Sequence, residues 1–206
     1  MGFWRKGPDP TIEALVGQIK AAAEAAGIAL DVLDGKISTE DAIEKIEAVE
    51  STGDEARAKL IEQLTQALGP PIDHEDMFRV SRSVDDVLDS LRDFVREIKI
   101  FGAEELALLR PSLEPICASL VELEAAVKTL DDDPEAVTDL GIKAQKTAGQ
   151  VRKNYQSSLG ELFSRDEVTV DMLRSRELLR RLDVIGLRLQ EATAALSDGL
   201  MKRGLT

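Results

Sequence analysis

The sequence predicts an all-α protein of six helices, built as two tandem, pseudo-repeated three-helix bundles. Three observations lead there. Apolar residues recur at the helical spacing through most of the chain, and no alternating stretch reads as a strand. The composition is 43% hydrophobic and 32% charged but only 3% aromatic, with Ala, Leu, Glu, Arg, Lys and Asp dominant, which suits a helix bundle better than a sheet. The third observation is an internal repeat, visible once the helices are placed.

The first helix is expected from about Pro10 to Asp34, where Asp9-Pro10 is a start signal and Gly35 a stop. A second begins near Ser38-Thr-Glu-Asp41 and carries the apolar stripe Ile43, Ile46, Val49, Leu60, Ile61, Leu64 and Leu68. Gly69-Pro70-Pro71 then turns the chain. The third helix opens at Asp73, with Glu75 and Asp76 in its first turn, and runs to about Phe101. The fourth lies between Pro111 and Leu130. Asp131-Asp-Asp-Pro134 breaks the chain and starts the fifth, which ends near Phe163, and the sixth spans about Thr169 to Lys202.

The second three helices repeat the first. At an offset of 95 residues, Glu50 to Arg57 aligns with Gln145 to Arg152, and Asp76-Met-Phe-Arg79 with Asp171-Met-Leu-Arg174. The chain therefore reads as one helical domain, residues 1–206, with pseudo-repeats 10–104 and 105–206. The second copy has lost its acids. Glu50 and Asp54 correspond to Gln145 and Gly149, while Asp85 and Asp89 best match Gln190 and Ala194; only Glu191 retains a carboxylate.

Charge and cysteine usage exclude several classes. A formal net charge of -13 argues against a duplex nucleic-acid binder and favours cations and basic partners. The single cysteine, Cys117, rules out an intramolecular disulfide framework. No apolar run approaches the ~20 residues of a membrane span, so a cytoplasmic protein is expected, with no direct membrane insertion.

Two acidic clusters are the candidate site. Glu50 and Asp54 lie upstream of the Gly69-Pro70-Pro71 turn; Asp85, Asp86 and Asp89 lie downstream. Asp54 is ~16 residues before the turn and Asp86 ~15 after it, which at ~1.5 Å per residue sets both clusters at about one height on antiparallel helices. The i,i+4 spacing of Glu50/Asp54 and of Asp85/Asp89 puts each pair on one helix face. Four or five oxygen ligands can converge there, a donor set suited to Mg, Mn, Ca or Fe. The competing reading is a pair of solvated, salt-bridged helix faces. Arg82 is the nearest cation in sequence to Asp86, which leaves local pairing poor.

Other chemistry is thin. A carboxylate-bridged di-iron site needs Glu-x-x-His pairs, and the one histidine, His74, sits in a helix first turn as an expected surface residue. Cys117 is expected as a buried structural thiol, with no third group to complete a nucleophile pair with His74. Arg174, Arg176, Arg180 and Arg181 form the densest basic stretch, expected as a solvated face stabilised by Glu177 and Asp183.

Pro71-Ile-Asp-His-Glu-Asp-Met77 followed by Val84-Asp-Asp-Val-Leu-Asp89 resembles the Pit accessory branch of the PhoU-like family. There a Pro-Ile/Phe-Asp-Arg-Glu-Asp segment opens a helix bearing Asp-Asp-Ile/Val-Leu-Asp. Ile46 to Asp54 is similar to that family's Glu-x-x-Gly/Ala-Asp segment, and Phe3-Trp-Arg-Lys6 to its amino-terminal Leu-Phe-Arg-Lys. The resemblance implies tandem three-helix bundles whose Glu/Asp-x-x-x-Asp motifs bind metal, and a regulator or accessory of phosphate transport that is not an enzyme. It assigns Glu50, Asp54, Asp85 and Asp89 as motif positions, with Asp86 adjacent. The metal would be a divalent or ferric ion (Fe, Mn, Mg, Ca or Zn). The implied partner is a phosphate permease, reached at the cytoplasmic membrane face through its basic loops; a homo-oligomer is left open. The alternatives are a metal-dependent hydrolase using the carboxylate cluster, for which no general base can be named, and a purely structural interaction module.

Overall fold

The computed structural model describes residues 9–66, 72–130, 133–202 and 204; Phe3 to Lys6, Leu68, the Gly69-Pro70-Pro71 turn and Asp131-Asp132 lie outside them. The described residues form six α-helices: α1 Pro10–Leu33, α2 Thr39–Gln66, α3 His74–Phe101, α4 Arg110–Lys128, α5 Pro134–Phe163 and α6 Val170–Lys202. A short 3-10 turn, Ala107–Leu109, leads into α4, and no strand occurs among the described residues.

The capping chemistry explains the boundaries. The Asp9 carboxylate accepts from the Thr11 amide at 2.7 Å, with Pro10 at the first helical position, where its missing N–H costs nothing. Ser38 Oγ accepts from the Asp41 amide at 3.1 Å while donating to the Asp41 carboxylate at 2.8 Å, closing the first turn of α2. The chain leaves α1 through Gly35 and α3 through Gly102, both at positive φ (66° and 60°), a conformation that only glycine takes without steric cost. Pro115 lies inside α4 and has no N–H for the Pro111 carbonyl four residues earlier. That orphaned oxygen accepts instead from Asn154 Nδ2 on α5.

The helices pack as two triplets. Within the first, α1, α2 and α3 contact one another; α4, α5 and α6 do the same in the second, and the triplets meet through α3 against α6 and α1 against α4. Helix α1 is the central element. Its buried Ala14, Ala21, Ala22, Ala25, Ala26 and Ala29 let neighbouring backbones approach closely around Leu15 and Ile19. On the α3/α6 side, Arg181 pairs with Glu97, Arg79 with Asp198 and Arg188 with Asp86, so the two helices run antiparallel. No helix among the described residues is long and apolar enough to cross a membrane.

Candidate functional site

Of the five acids selected by spacing, Glu50, Asp54, Asp85 and Asp89 lie along the seam between α2 and α3 at one level, while Asp86 turns toward Arg188 of α6. Asp85 is half-buried, and its carboxyl is pushed above the ordinary range first by burial and then by the neighbouring Asp89, Asp54 and Asp86, against the pull of Arg57. Carboxylates from both helices are thus close enough to repel one another.

Arginines meet that repulsion. Arg57 on α2 pairs with Asp85 on α3, and Arg92 on α3 reaches back to Glu50 while also contacting Asp89 at 3.0 Å and Asp93 at 3.3 Å. Arg188 of α6 approaches Asp86 at 3.6 Å. Sequence neighbours suggest poor pairing around Asp86; the tertiary structure supplies Arg188 from α6 there, and brings Arg57 and Arg92 across the α2/α3 seam to Asp85 and Glu50. Asp54 alone of the five has no ion-pair partner among the described residues. With the arginines in place, no three carboxylate, His or Cys groups among the described residues converge as a ready metal-holding set. The donor chemistry suits a hard cation, but a cation entering the cluster has to displace Arg57 and Arg92.

Below the cluster, the fully buried Gln18 of α1 donates Nε2 to the Ser81 carbonyl at 3.0 Å and accepts from Ser81 Oγ at 2.7 Å. The same Nε2 lies 3.5 Å from Asp85 Oδ1, which sets the height of that carboxylate against α1. Sequence analysis did not single out Gln18, and one polar residue among alanines was its only signal. For Arg57 and Arg92 a signal existed. Arg57 is three residues after Asp54 and Arg92 three after Asp89, on the same helix faces as the acids.

The matching seam in the second half lacks the cluster. Gln190 donates to the Ala148 carbonyl at 3.4 Å, and Glu191 pairs with Arg188 at 2.9 Å. Arg152, which aligns with Arg57, pairs with Asp183 across α5 and α6. The second half thus keeps an arginine–aspartate bridge through an aspartate that the repeat alignment had not matched to Asp85.

The remaining candidates resolve simply. His74 is exposed. Cys117 is half-buried with a thiol pushed up to about 11 by burial, the inert form of cysteine. In the arginine-rich stretch Arg176 and Arg180 do contact Glu177, at 3.2 and 3.8 Å. Arg181 instead crosses to Glu97 on α3, since Asp183 two residues on points to another helix face and pairs with Arg152, and Arg174 reaches Asp171 at 3.6 Å and the Gly102 carbonyl at 3.2 Å.

Comparison with known proteins bears on the fold and on distant kinship. No family model matches the chain. It is 26% identical over 161 residues to UPF0111 protein YkaA of Bacillus subtilis, covering 74% of this chain and 76% of that protein. A crystal structure of a PhoU-like protein from Shewanella oneidensis superposes with a TM-score of 0.78 at 14% identity, over 93% of this chain and 99% of that one. The six helices, their order and their packing therefore constitute a PhoU-like fold.

Proposed function

We propose that this chain is a metal-binding regulator or accessory of inorganic phosphate transport, without catalysis of its own, which acts by docking to a membrane phosphate permease. The PhoU-like fold supports the process, and so does the sequence resemblance to the Pit accessory branch. The observation that carries the metal reading is the meeting of Asp54 of α2 with Asp85 and Asp89 of α3 at one level; the Asp85 carboxyl is pushed up first by burial and then by Asp89, Asp54 and Asp86, and a cation offsets both costs. Glu50, Asp54, Asp85 and Asp89, with Asp86 beside them, are the ligands. Arg57 and Arg92 act as resident counter-charges that give way to the metal.

A second reading rests on those same arginines: an ion-paired seam with no metal. Metal analysis of chelator-treated, reloaded protein separates the two. Wild type retains about one metal or more per chain and gains thermal stability with added Mn, Fe or Mg; Asp85→Ala/Asp89→Ala loses both effects. Equal, metal-free results for the two proteins would leave the ion-paired seam. The second half, with Gln145, Gly149, Gln190 and Ala194 at the aligned positions and Glu191 already paired, should show no comparable anomalous scattering. Docking is tested with vesicles. Binding should require reconstituted phosphate permease and weaken as salt rises, since exposed charges are screened over ~8 Å at physiological ionic strength; equal binding to permease-free anionic vesicles rejects it.

A further inference from the structure

The α2/α3 seam does not end at the carboxylates. Toward the inter-helix turn it opens into a groove of about 350 Å³ lined by Ile61, Leu64, Thr65, His74, Glu75 and Phe78. Ile61 and Phe78 are large apolar side chains left 41% and 42% exposed at its mouth. Helical phase ties this groove to the acids. Ile61 follows Asp54 by seven residues and Phe78 precedes Asp85 by seven, so in both helices the apolar and charged positions lie on one face, two turns or ~10 Å apart.

We infer that this seam is a docking groove for a basic, amphipathic helical segment of a partner protein. The apolar groove takes that segment's anchor side chains, and Glu62 and Glu75 beside it take its Lys or Arg, which leaves the carboxylate cluster to the metal. This deepens the transport reading by locating the surface that the permease would use. Charge complementarity selects the occupant. No Lys or Arg among the described residues lines the groove, which disfavours a phosphate or an anionic lipid headgroup. Glu75 in the lining and Glu62 next to Ile61 have no ion-pair partner among the described residues, in contrast to Glu50, Asp85 and Asp89 on the same seam. Arg82, one turn beyond Phe78, also has no ion-pair partner among the described residues and is outnumbered. The small volume, near the lower end of the ~300–1,000 Å³ typical of ligand pockets, fits a few side chains of a helix laid along the two antiparallel helices.

A second copy of the chain suits the groove poorly. Another exposed apolar set, Phe163, Val168, Val170 and Leu173 at the α5/α6 end, is flanked by Glu161, Asp166 and Glu167, its Arg165 being already paired with Glu105, and each copy carries a net charge of -13. Two acidic surfaces repel.

The probe is an about 18-residue helical Leu/Lys peptide with leucines on one face at i, i+4 and i+7 and lysines toward one end, compared with a scramble of the same composition. Wild type should bind the patterned peptide about tenfold or more tightly than the scramble, and Ile61→Ser/Phe78→Ser should remove that preference. Because both side chains are already exposed, the variant should keep its helical circular dichroism. Glu62→Lys/Glu75→Lys provides an independent arm, with affinity lowered and its salt dependence reduced. Equal affinity for patterned and scrambled peptides overturns the groove, as does binding to bare anionic vesicles or a concentration-dependent dimer abolished by Phe78→Ser. Peptide binding that survives in a protein failing to bind permease vesicles rejects the transport reading and keeps the groove; permease binding unaffected by Ile61→Ser/Phe78→Ser rejects the groove and keeps the transport reading.

Discussion

Lys202, in the last turn of α6, donates to both carboxylate oxygens of Asp76, at 3.1 and 2.8 Å, and the Asp76 side chain is fully buried. Arg79 adds a third contact at 3.2 Å, and Gly199 packs against the Asp76 Cβ, where a methyl group on the glycine would lie 3.2 Å away. The last turn of α6 is thereby clamped onto the start of α3, 126 residues away in sequence.

Removing one member of this clamp should cost more than removing both in proportion. Lys202→Met leaves a buried carboxylate with Arg79 alone, whereas Asp76→Asn/Lys202→Met removes the charge together with its partner. Thermal melts should show each single variant lowered and the double variant lowered by less than the sum of the singles; strict additivity would show that the two residues are uncoupled. The Lys202 pKa is raised, first by its hydrogen bond to Asp76. A raised lysine pKa contributes stability that is complete below the unfolded value of about 10.4 and is lost as pH rises through the folded one, so the lysine's contribution is present at neutral pH and is lost in alkali.

Asp85 has the opposite consequence at neutral pH. Its folded pKa lies above the unfolded value, first through burial, so its favourable contribution is present below the ordinary carboxylate range and is lost as pH rises through the folded pKa. In chelator at neutral pH, Asp85→Asn should therefore leave the melting temperature unchanged or raise it, while abolishing the upward shift caused by metal. A large loss of stability in chelator would mean that the Arg57 pair outweighs burial.

Two glycines at helix crossings should respond differently to alanine. A Cβ at Gly186 would meet Val151 Cγ1 at 2.6 Å and Cβ at 2.7 Å, a β-branched side chain that has little room to turn away. Gly186→Ala should cost about 1–3 kcal/mol. At Gly53 the intruded atom is the Leu88 Cδ2 at 2.5 Å, the far end of a flexible side chain, and alanine gains about 1 kcal/mol of helix propensity. Gly53→Ala should stay within about 1 kcal/mol of wild type by denaturant unfolding, and equal large losses at both sites would contradict the distinction.

The Cys117 thiol, pushed up to about 11 by burial, should react with a thiol reagent near pH 8 roughly 100-fold more slowly than a free cysteine. Full reactivity should return in denaturant. Rapid labelling of the folded chain would mean that α4 opens locally.

Helix number, order and ends were legible in the sequence because they depend on local chemistry. Asp9-Pro10, Ser38, Gly35 and Gly102 act within a few residues of themselves, and the 3.6-residue stripe identifies the buried face whatever it packs against. The same locality brought Glu50, Asp54, Asp85, Asp86 and Asp89 to notice, since face and height follow from residue counting once two helices are antiparallel. Their partners are another matter. Arg57 to Asp85, Arg92 to Glu50 and Arg188 to Asp86 join residues on different helices, and Gln18 beneath Asp85 comes from a third. Which long side chain crosses to which carboxylate depends on interaxial distance and rotation about each helix axis. Those quantities are set by the packing of the whole core, so they were decided only in the tertiary structure. The Asp183–Arg152 bridge and the Asp76–Lys202 clamp escaped sequence reading for the same reason.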